Sequence, residues 1–92
     1  MRFDWDNANI NHLGSHGVTS EEFEQAFRND PIVLYRTLHH RERRYAALGQ
    51  TDQGRVLLFI YTKRGHKTRA ITAHTAPRKL RKSYAEQKST KR

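Results

Sequence analysis

Apolar and polar positions alternate at the start of the chain and then change period. Phe3 and Trp5 alternate with Asp4 and Asp6, which predicts a short edge strand running into a helix N-cap. Asp6 caps a first helix over residues 7–15, with Ile10 and Leu13 on its apolar side, and Gly17 ends it. Thr19 and Glu22 have the spacing of a capping box and open a second helix. Phe23, Ala26 and Phe27 form its buried stripe at i, i+3 and i+4. Asn29-Asp30-Pro31 breaks it.

Beyond the break the period becomes two. Residues 32–36 predict a short strand, 38–41 a polar loop, and 43–51 a strand with Tyr45, Ala47 and Gly49 on one side. Asp52-Gln53-Gly54 is a hairpin signal. Residues 55–62 are β-branched and aromatic on both faces, the signature of a central strand. A basic turn around Gly65 leads to a last strand over 68–74. Pro77 suits the first position of a final helix reaching about Gln87, anchored by Leu80 and Tyr84. The order β-α-α-β-β-β-β-α predicts an α+β fold: an antiparallel sheet of about four to five strands, two N-terminal helices packed behind it and one C-terminal helix. One domain is expected over residues 1–87, followed by a basic, flexible tail over 88–92.

Charge adds direction to this outline. Among 92 residues, 18 Lys and Arg oppose 9 Asp and Glu, for a net +9. The first 34 residues hold two basic and six acidic side chains, whereas the remainder holds sixteen basic and three acidic. An acidic N-terminal part followed by a strongly basic one predicts a polyanion-binding face, nucleic acid above all, on the last strands and the final helix. The lack of cysteine excludes a disulfide scaffold, a thiol nucleophile and a cysteine-ligated zinc site. The longest apolar run, Val56 to Tyr61, is too short for a membrane span or signal peptide, so a cytoplasmic protein is expected.

Four groups of residues offer chemistry. His12 and His16 lie i, i+4, the spacing of two zinc ligands, but the run His-Leu-Gly-Ser-His lacks the zincin glutamate. Without a third ligand they read as local packing beside Trp5 and Asn9, and no metal is expected. Arg69 and His74 frame the last strand; a histidine suits proton transfer and an arginine fork suits a phosphate. Their spacing of five puts them on opposite faces of a regular strand. Arg78, Lys79, Arg81 and Lys82 crowd the final helix, where Tyr84 fits either a core anchor or a ring that stacks on a base. Arg41, Arg43 and Arg44 follow His39 and His40 into the second long strand.

The ordered pieces Phe3-Asp4-Trp5-Asp6, Asn9, His12, His16-Gly17-Val18, Asn29-Asp30-Pro31, Arg44-Tyr45-Ala46-Ala47-Leu48-Gly49, the strand over 55–62, Arg69-Ala70-Ile71-Thr72-Ala73 and the basic helix to Tyr84 resemble BrnT-type toxins. The resemblance covers about residues 2–86. It implies a fold similar to RelE-type ribonucleases, RNA cleavage that arrests translation, and neutralisation by a co-encoded antitoxin. Such BrnA-like antitoxins carry a ribbon-helix-helix part, through which the hetero-oligomer binds operator DNA and represses its own operon. By position, Arg69 matches the family's strand arginine, Tyr84 the tyrosine closing the basic helix, and Arg44, Arg78 and Lys79 its usual cations. His74 stands where many members have arginine, and Leu80 where many have glutamate.

The combined expectation is a metal-independent endoribonuclease without cofactors that cleaves mRNA. Arg64, Arg69 and Arg78 would hold the scissile phosphate, His74 would transfer a proton, and Tyr84 would position a base or the 2′-OH. Arg43, Arg44, Lys63, Lys67, Lys79, Arg81 and Lys82 would bind RNA. A non-catalytic RNA- or DNA-binding module is the alternative expectation from the same basic face.

Overall fold

Reciprocal caps start both N-terminal helices in the computed structural model, which describes residues 2–90. After β1 (Arg2–Phe3), the Asp6 carboxylate accepts from the Asn9 amide and the Asn9 side chain accepts from the Asp6 amide, opening α1 (Asn7–Ser15). Gly17, at φ 73°, closes α1. Its N–H bonds Gly14 and the Val18 N–H bonds Leu13, the two bonds of a Schellman ending. Thr19 and Glu22 repeat the capping box at α2 (Ser20–Arg28).

Four long strands follow: β2 (Ile32–His39), β3 (Glu42–Gln50), β4 (Val56–Arg64) and β5 (Lys67–Thr75). The expected polar loop over 38–41 is shorter than predicted, because β2 continues through His39. His40 and Arg41 alone make the turn, both at positive φ (48° and 67°), as a tight hairpin matched to strand twist requires. The last helix, α3 (Arg78–Thr90), extends past Gln87, so residues 88–90 are helical; residues 91–92 lie outside the described residues.

The strand order is β1-β5-β4-β3-β2. β2 to β5 are antiparallel neighbours, but β1 pairs parallel with β5, making the sheet mixed. The parallel pair is feasible because two helices and three strands intervene, far more chain than a crossover needs. Trp5 falls outside β1; its ring packs edge-on against Phe23 at 5.5 Å and its indole N–H donates to Glu24 at 2.7 Å.

Alternation divides the sheet into two faces. Ala47, Leu57, Phe59, Tyr61, Ala70 and Ala73 meet Leu13, Val18, Phe23 and Ala26 from α1 and α2. Leu48, Val56 and Ala76 meet Tyr84 of α3, with Leu58 and Leu80 beside them. Each face therefore has its own core, and α3 covers only part of the second. Gly49 sets the seat of α2, since a Cβ there would lie 2.3 Å from the Ala26 carbonyl oxygen.

Candidate functional site

A bulge in β5 decides which side chains share a face. Tyr61 pairs with Ala70, but Ile60 pairs with Thr72, leaving Ile71 as the extra residue. Ala70 and Ala73, three positions apart, are accordingly buried in the same core. The parity flip also puts Arg69 and His74 together on the face carrying α3, overturning the opposite-face expectation for a regular strand. Their β4 partners, Thr62 and Leu58, confirm this by sharing one parity.

That face carries a ladder of rows. Arg44 pairs with Thr62 and Thr62 with Arg69, so two arginines flank one threonine across β3, β4 and β5. At about 4.8 Å per strand their Cα atoms lie roughly 10 Å apart. One row toward α3, Ala46, Ile60 and Thr72 form an uncharged floor. The next row holds Leu48, Leu58 and His74, where α3 begins to cover the sheet. On the opposite side of the arginine row, Arg64 pairs with Lys67. A shallow pocket of about 140 Å³ opens on this surface, its wall including Tyr35, Thr37, Arg44 and Ile60.

Carboxylates hold the arginines in place. Glu42 accepts from Arg44 Nε and from Arg64, each at 3.2 Å. Burial pushes its carboxyl up, but the bonds from Arg44 and Arg64 outweigh this and hold it below the ordinary range. Arg69 is only 15% exposed and reaches Asp6 at 2.8 Å and Asp4 at 3.6 Å. The Asp6 carboxyl is held low first by the Asn9 amide and then by Arg69. Arg69 thus ties β5 to the turn entering α1, and the acidic N-terminal part is knitted to the basic part. Arg55 does the same at the other end, donating to Glu22, Gly17 and Thr75. Neither Glu42 nor Arg55 drew attention as a site residue in the sequence; the only signal for Glu42 was its place within Arg41-Glu42-Arg43-Arg44.

His74 is half-buried, and its Nδ1 lies 2.9 Å from the Thr75 carbonyl oxygen. A carbonyl only accepts, so Nδ1 carries the proton and neutral His74 presents Nε2 as the lone pair. The His16 ring stands 6.2 Å away, and His12 is 5.1 Å from His16. His16 thus lies beside His74 of β5, with His12 behind it. Among the described residues no three His, Asp or Glu side chains are grouped to hold a metal ion.

The other expected residues divide. Arg78, Lys79 and Lys82 are exposed on α3, while Arg81 is also exposed but donates to the Ala76 carbonyl at 2.7 Å. Lys67 is exposed on the arginine face. Arg43 and Lys63 belong to the opposite face, where the Lys63 ammonium lies 5.7 Å from the Tyr45 ring and Tyr45 stacks on Tyr61 at 5.1 Å. Tyr84 is 4% exposed and anchors α3, the core placement among the two readings open for it. Burial, then Asp30, pushes its phenol up. Leu80, in the place of a family glutamate, packs against the same core.

No individually curated protein matches the chain. Residues 3–79 match the family described as the ribonuclease toxin, BrnT, of type II toxin-antitoxin systems. The match runs from β1 through β5 into the first turn of α3, so it includes the cross-strand arginine row. A toxin of this class has an RNA substrate and an antitoxin partner, and by that match the chain belongs to the BrnT family of ribonuclease toxins.

Proposed function

We propose that this toxin cleaves mRNA without a metal ion, on the open part of the α3-bearing sheet face. The observation that carries the reading is the row Arg44–Thr62–Arg69, with Arg64 held beside Arg44 by Glu42. Cleavage at a phosphodiester needs a base for the 2′-OH, an acid for the departing 5′-oxygen, and positive charge around the phosphorane. Arg44 and Arg64 supply that charge as forks suited to phosphate oxygens. Arg69, whose charge is balanced by Asp4 and Asp6, positions the β5 segment rather than facing the phosphate. His74 Nε2 takes the proton-transfer role, since an imidazole nitrogen can accept or return a proton. Along β4, the partners of Arg69 and His74 are four residues apart, roughly 13 Å at strand rise. The interval contains the floor of Ala46, Ile60 and Thr72, over which a ribose and its phosphate can lie. Arg78, Lys79 and Lys82 on α3 would hold the flanking strand by its backbone charge.

The antitoxin in this reading is a BrnA-like ribbon-helix-helix protein, the complex represses its own operon through that protein, and the toxin acts in the cytoplasm. Among the described residues no helix is long and apolar enough to cross a membrane. The decisive assay is cleavage of a defined mRNA by purified toxin in EDTA. Full activity in EDTA, lost in Arg44→Ala/Arg64→Ala and in His74→Ala, supports the assignment. Loss of activity in EDTA overturns the metal-free mechanism, and wild-type activity in His74→Ala overturns the proton-transfer role. Salt-sensitive binding without any cleavage would make the chain a binding module instead.

A further inference from the structure

We propose that the outer edge of β2 is the antitoxin-docking surface, taking an extended acidic segment as an added strand. The inference rests on the toxin-antitoxin reading and deepens it by naming the surface. The two edges of the sheet are treated differently. At one edge β1 is only two residues long, and the chain beyond it stays on β5: the Asp4 N–H donates to Thr68 and the Asn9 side chain reaches the Ala70 carbonyl at 3.4 Å. At the other edge β2 is eight residues long and nothing among the described residues pairs with its outer side. Soluble proteins shield such edges with lysine, proline or short strands. Here the edge is apolar: Val33 is 48% exposed, Leu34 36%, Tyr35 54% and Leu38 70%. A bulge sits at Leu34, but Tyr35 to His39 continue in register with β3 up to the turn.

Charge selects the occupant. The face of β2 carrying Val33 and Leu38 borders Arg36, Arg41, Arg43 and Lys63 in two open concavities of about 430 and 560 Å³. The one carboxylate there, Glu42, is already engaged by Arg44 and Arg64. A matching segment therefore alternates apolar side chains, to cover Val33 and Leu38, with carboxylates, to meet the cations. Its backbone satisfies the outward N–H and C=O groups of β2, which is strand addition. RNA offers phosphates to the cations but no alternating donors and acceptors for the edge and no cover for leucine and valine. An added strand would also stand beside Thr37, one strand away from Arg44, narrowing access to the arginine row from that side.

The test uses the full chain and the protein encoded by the adjacent gene as probe. Val33→Glu/Leu38→Glu changes only exposed side chains outside the proposed catalytic face, so folding and RNA cleavage are expected to stay as in wild type. Binding of the adjacent gene's product, and neutralisation by it, are expected to weaken roughly tenfold or more. Hydrogen exchange on the wild-type complex is expected to show new protection over residues 33–39. Unchanged neutralisation of the variant, or protection elsewhere, overturns the docking edge while leaving the toxin-antitoxin reading intact. Failure of that product to bind wild-type chain overturns both. Protection of the edge by RNA alone, or a wild-type dimer that the variant abolishes, assigns the edge to RNA or to a second copy and overturns the proposal.

Discussion

Arg44 and Arg69, 25 positions apart in the chain, flank Thr62 in a single row across three strands. The row depends on two registers at once, β3 against β4 and β4 against β5. If Arg44 contacts phosphate, Arg44→Ala lowers single-turnover RNA cleavage by roughly 10- to 100-fold, the worth of one charge-assisted contact. Arg44→Lys keeps the charge but loses the fork, so it is expected to recover only part of that loss. Thermal unfolding monitored in parallel separates this from any change in stability.

Tyr84 provides a contrast between packing and chemistry. It is 4% exposed in the core beneath α3, so Tyr84→Phe is expected to keep cleavage within a few-fold of wild type. Tyr84→Ala removes a buried ring and is expected to cost about 3–5 kcal/mol, measured by denaturant unfolding. A Tyr84→Phe protein that folds normally but no longer cuts RNA would return the phenol to the site.

Gly49 is expected to be intolerant for a steric reason. The Cβ of Gly49→Ala would approach the Ala26 carbonyl oxygen to 2.3 Å, backbone against backbone, so α2 must lift from β3. Overpacking of this kind costs about 1–3 kcal/mol or more, read as a lower unfolding midpoint with helix content retained at low temperature.

Acid stability follows from three carboxylates. The Asp6 carboxyl is held low by the Asn9 amide and Arg69. Burial pushes Glu22 and Glu42 up, but bonds from Thr19 and Arg55, and from Arg44 and Arg64, bring both below the ordinary range. For a group lowered on folding, the stabilisation is present above its unfolded pKa and is lost as pH falls through the folded one. Stability is therefore expected to hold from neutrality to about pH 4.5 and then decline, because the unfolded chain takes up protons first. The measurement is the unfolding midpoint against pH; Glu22→Gln and Glu42→Gln should each flatten the decline.

Much of the fold is legible from neighbours in sequence. The Asp6 and Thr19 caps, Gly17 after α1, and the stripe of Phe23, Ala26 and Phe27 need only contacts within a few residues, and each stands as predicted. The hairpin at His40 and Arg41 was harder to see, because neither residue is the glycine or asparagine that usually marks positive φ. The candidate site was legible as a set of residue types but not as an arrangement. Arg43 and Lys63 read like Arg44 and Arg64, yet strand parity sends the first pair to the other face.

The sequence by itself determined the element order, the caps and the concentration of positive charge after residue 34, since all of these are local or summed properties of the chain. Only the tertiary structure decided that Arg69 and His74 share a face, that Tyr84 is buried and that β1 covers the start of one sheet edge while no strand among the described residues covers the other. The reason is register. The extra residue at Ile71 is set by the pairing of β5 with β4, and shifting parity by one residue moves every later side chain to the opposite face.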